Sequence, residues 1–139
     1  MKGDIAMFTK MKETFQECAE DIFCGVNTVS EVDDATDLEK KHLPIITAPR
    51  KVKKGEHFEV TVEVGKLMQH PNEPGHFIQF IELYAGQTYL ARMDFTAKTT
   101  CPVMKTCVSL DHGHNTLRAF ERCNLHGVWE NEVEIEVTE

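Results

Sequence analysis

The sequence predicts an all-β protein, an antiparallel sandwich of short strands preceded by a short N-terminal helix. Three observations carry that prediction. Apolar residues alternate strictly with polar ones from His57 to Val64, placing Phe58, Val60, Val62 and Val64 on one side and His57, Glu59, Thr61 and Glu63 on the other. Further short runs rich in aromatic and β-branched residues follow, separated by Gly, Asp, Asn or Lys-Thr turns at the spacing of sandwich strands. Helical periodicity is confined to the N-terminal segment, which argues against alternating strands and helices.

Taken in order, Met7, Met11, Phe15, Cys18 and Ile22 recur at spacings of four, four, three and four, which predicts an amphipathic helix over 7–23. Its Met and Phe stripe reads as a packing face that docks on the domain or on a neighbouring subunit. Gly25 and Asn27 supply stop signals, and the acidic stretch Ser30 to Asp37 reads as a linker. The chain therefore divides into an N-terminal helical segment with linker, 1–37, and a β domain, 38–139. Strands are expected over 57–64, 77–84, 89–95, 103–110, 117–122 and 133–137.

A chain of 139 residues suits one domain with a proper core. Its net charge of −8 argues against a nucleic-acid or anionic-membrane surface as its main business, so an anionic small molecule would need a local basic patch. No apolar run approaches the roughly 20 residues of a membrane span, and no basic segment leads into an apolar leader. The expected location is cytoplasmic. Five cysteines cannot all pair internally, so at least one thiol is free or bound to a metal, and Cys123 is the candidate. Cys18 with Cys24, and Cys101 with Cys107, lack the spacing of paired metal-binding cysteines and read as small apolar fillers in a reducing compartment.

The chemistry concentrates in Cys123-Asn124-Leu125-His126-Gly127-Val128-Trp129. A thiolate and an imidazole three positions apart, followed by a Gly that permits a sharp turn, can aim two ligand atoms at one ion from a single loop. Alone this is half a site. Two other turn-like places carry imidazoles: His42-Leu43-Pro44, and His70-Pro71-Asn72-Glu73-Pro74-Gly75-His76. His57 falls on the polar face of its strand and reads as solvated. His112 and His114 share a turn with Asp111 and Gly113 and read as loop histidines, since a cupin pair would lie on a strand.

These three motifs, in this order, resemble the superoxide reductases, the family of the one-iron neelaredoxins and of the iron domain of the desulfoferrodoxins. The resemblance spans about residues 39 to 135. It implies a seven-stranded immunoglobulin-like sandwich holding one mononuclear non-haem iron, with His42, His70, His76 and His126 in the equatorial plane and Cys123 on the axis. It implies superoxide as substrate, reduced by one electron to hydrogen peroxide, with rubredoxin or a similar small carrier as electron donor and a dimeric or tetrameric assembly. In the family a Glu-Lys-His-x-Pro sequence supplies a lysine that attracts superoxide and a glutamate that caps ferric iron. This chain reads Glu39-Lys40-Lys41-His42-Leu43-Pro44, so Lys41 matches the lysine and Glu39 lies one residue further away. The paired cysteines of a rubredoxin-like second iron domain are absent.

Two other metalloprotein classes fit part of the pattern. Blue-copper carriers are antiparallel sandwiches with a C-terminal Cys and a nearby His, but no Met follows His126 to serve as their axial ligand. A structural zinc module would close on four ligands, one fewer than the five candidates here.

Overall fold

The alternating run of the sequence forms the central strand of one sheet. In the computed structural model, which describes residues 26–139, strands β1 (Pro44–Thr47), β2 (Lys51–Lys53), β3 (Phe58–Val64), β4 (Ile78–Ala85) and β5 (Thr88–Asp94) are followed by β6 (Val103–Val108), β7 (Thr116–Cys123), β8 (Gly127–Glu134) and β9 (Glu136–Thr138). β3 buries Val60, Val62 and Val64 and exposes Glu59, and it pairs antiparallel with β1 on one side and β6 on the other. The second sheet is also antiparallel, in the order β5-β4-β7-β8. Val60, Val62, Ile81, Leu83, Leu117 and Ala119 are fully buried between the two sheets, as sandwich packing requires. At roughly 1.5–3 kcal/mol per buried aliphatic side chain, this shared core is the main source of the fold's stability.

The seven strands of these two sheets match the expected sandwich. β2 and β9 add a parallel pair, which the sequence reading did not foresee. β1 and β2 were also not foreseen, and β8 begins six residues before the expected strand at 133. The helix expected over 7–23, with Cys18 and Cys24, lies outside the described residues.

A further difference lies where a linker and a loop were expected. A 3-10 turn occupies Val32–Asp34, and helix α1 (Asp37–His42) carries the first candidate ligand. Thr36 and Glu39 form a capping box: the Thr36 hydroxyl accepts from the Glu39 amide at 3.2 Å, and the Glu39 carboxylate accepts from the Thr36 amide at 2.8 Å. Two amides that a short helix would leave orphaned are thereby satisfied, an arrangement worth about 0.5–2 kcal/mol for the cap residue. The expected division at 37/38 also meets a contact that crosses it. Asn27 bridges to β8, its amide donating to Val128 O at 2.9 Å and its carbonyl accepting from Glu130 N at 2.9 Å.

Register decides where the candidate ligands meet. Pro44 opposes Val64, Ile78 opposes Cys123, and Cys123 opposes Gly127. The segment entering β1, the β3–β4 connection and the β7–β8 turn therefore sit at one end of the sandwich. A bulge in β4 between Ile78 and Phe80 lets Ile78 and Ile81 both face inward although they are three residues apart.

Candidate metal centre

Each ligand-bearing segment is anchored before its side chain reaches the centre. His42 ends α1, and its Nδ1 donates to Leu38 O, one turn back, at 2.7 Å. His70 follows Gly65, whose backbone sits at φ +92° and where an added Cβ would lie 3.0 Å from the His70 amide nitrogen. Only glycine permits that approach. The His70 Nδ1 donates to Pro71 O at 2.6 Å. Cys123 is the last residue of β7, on the same inward face as Leu117, Ala119 and Glu121. Gly127, at φ +83°, then turns the chain back into β8. Trp129 reaches across this turn, its indole N–H donating to His126 O at 3.2 Å while its ring stacks on His42 with centroids 5.0 Å apart and planes 19° from parallel.

The four imidazoles stand at the corners of a near-square. Ring centroids are 4.7 Å apart for His42–His70, 4.7 Å for His70–His76, 5.0 Å for His76–His126 and 4.9 Å for His42–His126, with 6.4 Å along the His42–His76 diagonal. Donor atoms of His42, His76, Cys123 and His126 lie within 4.8 Å of one another. His70 joins through its Nε2, 3.2 Å from that of His42. The Cys123 sulfur is 3.7 Å from His126 Nδ1, so this ring presents its δ nitrogen to the thiol. The sequence-predicted ligands are thus brought together, and His57, exposed just before β3 rather than on it, is not among them. His112 pairs with Glu139 at 3.0 Å, and His114 accepts from the Asp111 amide at 3.2 Å, both as surface-loop residues.

Whether these residues fit a metal is tested by their unpaired atoms. Carbonyl oxygens only accept, so the His42 and His70 δ nitrogens carry the protons and both neutral rings present bare ε lone pairs 3.2 Å apart. Two such lone pairs repel unless a cation lies between them. His76 Nε2 is buried and has no hydrogen-bond partner. Four convergent imidazole nitrogens and a buried sulfur are the donor set of a mid-first-row transition metal with one open position.

Burial shapes the titration of the site. It lowers the pKa of His42 and His76, and brings that of His70 down to about 4. Among the lesser causes, the Lys41 charge acts in the same direction at both His42 and His76. Burial pushes the Cys123 thiol up, against the opposing pull of the Leu125 and His126 amides. A bound cation reverses that balance and deprotonates the thiol. Glu39 is engaged in the α1 cap, where its carboxylate bonds to Thr36. Glu121 is fully buried with both carboxylate oxygens unpartnered, and burial raises its pKa to about 9. Cys101 and Cys107 are exposed free thiols rather than buried fillers, because the first precedes β6 and the second lies on its outer face.

The metal-free protein has an acid signature. The folded pKa of His70 lies below the unfolded value of 6.5, so stability is fully present above 6.5 and falls as pH drops from there through about 4. Thermal unfolding of metal-free protein should show a midpoint that declines across this window, less steeply in His70→Asn. An equal decline in the variant would assign the effect to other groups.

An antiparallel sandwich with one cluster of four imidazoles and a thiolate defines a mononuclear non-haem metalloprotein. A blue-copper site uses two imidazoles and one thiolate, so this arrangement exceeds it. The desulfoferrodoxin family model matches residues 34–132. A protein of Methanocaldococcus jannaschii is 48% identical over 115 residues, covering 81% of this chain and 95% of that one. The superoxide reductase of Pyrococcus horikoshii is 37% identical over 105 residues, covering 70% and 89%. Among solved structures, the superoxide reductase (neelaredoxin) from Ignicoccus hospitalis superposes with a TM-score of 0.70 at 35% identity, covering 81% of this chain and 94% of that one. The chain belongs to the desulfoferrodoxin family.

Proposed function

We propose that this protein is a superoxide reductase, which passes one electron to superoxide and, with two protons, releases hydrogen peroxide without forming dioxygen. The observation that carries this reading is the near-square of four imidazoles whose ε and δ nitrogens converge beside the buried Cys123 sulfur. Its cofactor is a single mononuclear iron. When bound, the iron would supply the electron and a place for the anion to bind, and an electron-rich Cys123 thiolate would favour electron release. His42, His70, His76, His126 and Cys123 are the residues that would hold it.

The remaining chemistry belongs to residues at the rim. Lys41 draws the anion toward the site and stands ready to supply a proton, a role supported by its electrostatic effect on His42 and His76. Lys40 reinforces the local positive field although the whole chain carries −8. Glu39 is the second catalytic candidate, and any contact with iron requires its carboxylate to leave the Thr36 amide.

The same reading extends to partners and setting. Rubredoxin or a similar small carrier delivers the electron, and exposed Leu125 beside exposed His126 offers such a carrier a surface close to the metal. The chain acts as a homo-oligomer, without nucleic acid or membrane, in the cytoplasm. Free Cys101 and Cys107 suit a reducing compartment. Among the described residues no helix is long and apolar enough to cross a membrane. Residues 38–139 form the iron domain and 1–37 an appended segment.

Pulse radiolysis across a salt series tests the reading at Lys41. Wild-type protein should reduce superoxide in a fast second-order step that slows as salt screens the field over about 8–10 Å. Lys41→Ala should slow this step about tenfold, within the 10–10³ range of electrostatic steering, and flatten its salt dependence. Lys40→Ala should do less, and Glu39→Ala should mainly alter the resting ferric spectrum. An unchanged rate and salt slope in Lys41→Ala would reduce the lysine pair to solvated surface charge.

A further inference from the structure

We propose that Asn124 is a positioning residue that locks the loop after Cys123 to the loop of His76, setting the distance and angle between the Cys123 sulfur and the His76 imidazole. The proposal rests on the metal-centre reading above.

The β4–β7 ladder should end at the Ile78–Cys123 pair, because β4 begins at Ile78. Asn124 carries it one step further. Its backbone amide donates to Phe77 O at 3.1 Å, while its side-chain Oδ1 accepts from the Phe77 amide at 2.9 Å. The side-chain carbonyl takes the part that a strand carbonyl would play. The Asn124 Nδ2 then donates to Gly75 O at 3.0 Å. A backbone N–H can only donate and a backbone C=O can only accept, so the two ends of the amide have a single consistent orientation.

These bonds bracket His76. Gly75 and Phe77 are its two covalent neighbours, and both are tied to the residue that follows Cys123. The His76 backbone closes on Glu73 in both directions, its amide donating at 2.9 Å and its carbonyl accepting at 3.0 Å. The segment therefore has little freedom to rotate, and the buried, unpartnered His76 Nε2 is held in a fixed place relative to the sulfur. Aspartate could not replace both bonds, because it lacks the donor to Gly75. Alanine would lose both side-chain contacts.

Asn72 supplies a matched comparison within the same molecule. Its side chain also bridges two backbone groups, accepting from the Lys98 amide at 2.7 Å and donating to Thr100 O at 2.9 Å. It ties the His70–His76 loop to residues 98–100, which carry no metal donor. Loss of either asparagine weakens the loop. Only loss of the Asn124 side chain removes bonds that link the Cys123 loop to the two neighbours of an imidazole, the Phe77 amide and the Gly75 carbonyl.

The test compares wild-type protein with Asn124→Ala, Asn124→Asp and Asn72→Ala through the thiolate-to-iron absorption maximum and the rate of iron transfer to a chelator. Asn124→Ala should shift the maximum and speed iron loss about tenfold or more, as removal of partners that orient metal ligands does. Asn124→Asp, which keeps the Phe77 contact, should return the maximum toward the wild-type position, and Asn72→Ala should leave it in place. In metal-free protein, hydrogen exchange at the Phe77 amide should quicken in Asn124→Ala and be restored by Asn124→Asp. Quickened exchange with an unmoved band and an unchanged iron-loss rate would overturn the proposal, as would equal shifts in Asn124→Ala and Asn72→Ala. A wild-type protein that binds iron without any thiolate band would instead overturn the superoxide reductase reading, and the Phe77 exchange result stands apart from that outcome.

Discussion

Cys123→Ser yields a folded protein that has lost its visible thiolate-to-iron absorption and holds iron poorly. Serine differs from cysteine by one atom, and the site of exchange is the last residue of β7, paired with Ile78 on one side and Gly127 on the other. Those backbone pairs do not depend on the side chain, so the sandwich survives. The cost to folding is that of burying a hydroxyl where a thiol packed well, about 1–3 kcal/mol. The cost to the centre is larger. A serine oxygen remains protonated far above the pH at which a metal-bound thiol ionises, and it cannot supply the sulfur-to-metal charge transfer that colours the oxidised protein. Iron affinity should fall by more than the 10–100-fold that loss of a supporting partner costs. Absorption spectra and metal analysis of the oxidised variant measure both effects. A retained visible band in Cys123→Ser would exclude Cys123 as a ligand and remove the superoxide reductase reading with it.

The sequence made the sandwich legible wherever a strand was long enough to repeat its period. Phe58 to Val64 declared its buried face through four alternating apolar residues, and the structure buries three of them. Pro44–Thr47 and Lys51–Lys53 were invisible for the opposite reason. Four residues after a helix, or three with a single apolar member, show no period, and their strand state comes from pairing with β3 and β9. The first half of β8 was hidden because Gly127 to Trp129 carries the metal motif and so drew a reading as a tight loop. Helix α1 was missed, although the three-residue separation of Thr36 and Glu39 marks a capping box, because six residues are too few to show a helical period.

The pairs His70 with His76 and Cys123 with His126 could be read from spacing, because each leaves one short connection, whereas His42 comes singly from the end of α1. What spacing could not show is how those loops are held. The bonds from Asn124, the stacking of Trp129 on His42 and the Asn27 bridge to β8 join residues far apart in the chain, with no local signature. Asn131 belongs with them, its side chain donating to Pro44 O at 3.0 Å and tying β8 to the segment that carries His42. Glu121 is a different case. Counting back two residues from Cys123 places it on the inward face, yet a charged residue there contradicts the usual reading of a strand core.

Replacement of the seven histidines one at a time should divide them into two groups. His42→Ala, His70→Ala, His76→Ala and His126→Ala lose or loosen iron, whereas His57→Ala, His112→Ala and His114→Ala keep the full complement. The contrast follows from placement: the first four rings close a near-square around one point, and the other three lie in the connection just before β3 or in a surface turn. Within the first group, His42→Ala should be the most damaging. His42 is fully buried, and its removal deletes a donor nitrogen, leaves the Leu38 carbonyl without that partner and takes away the ring on which Trp129 stacks. Because Trp129 also holds the His126 carbonyl, a displaced indole loosens a second ligand along with the first. His126→Ala, at the exposed corner, removes one donor and leaves the stacked pair intact. Iron per chain, together with tryptophan fluorescence of each variant in its metal-free form, separates these outcomes, since without iron only His42→Ala removes the ring stacked on the indole. Full iron in His42→Ala, or loss of iron in His112→Ala or His114→Ala, would move the centre away from the four-ring square.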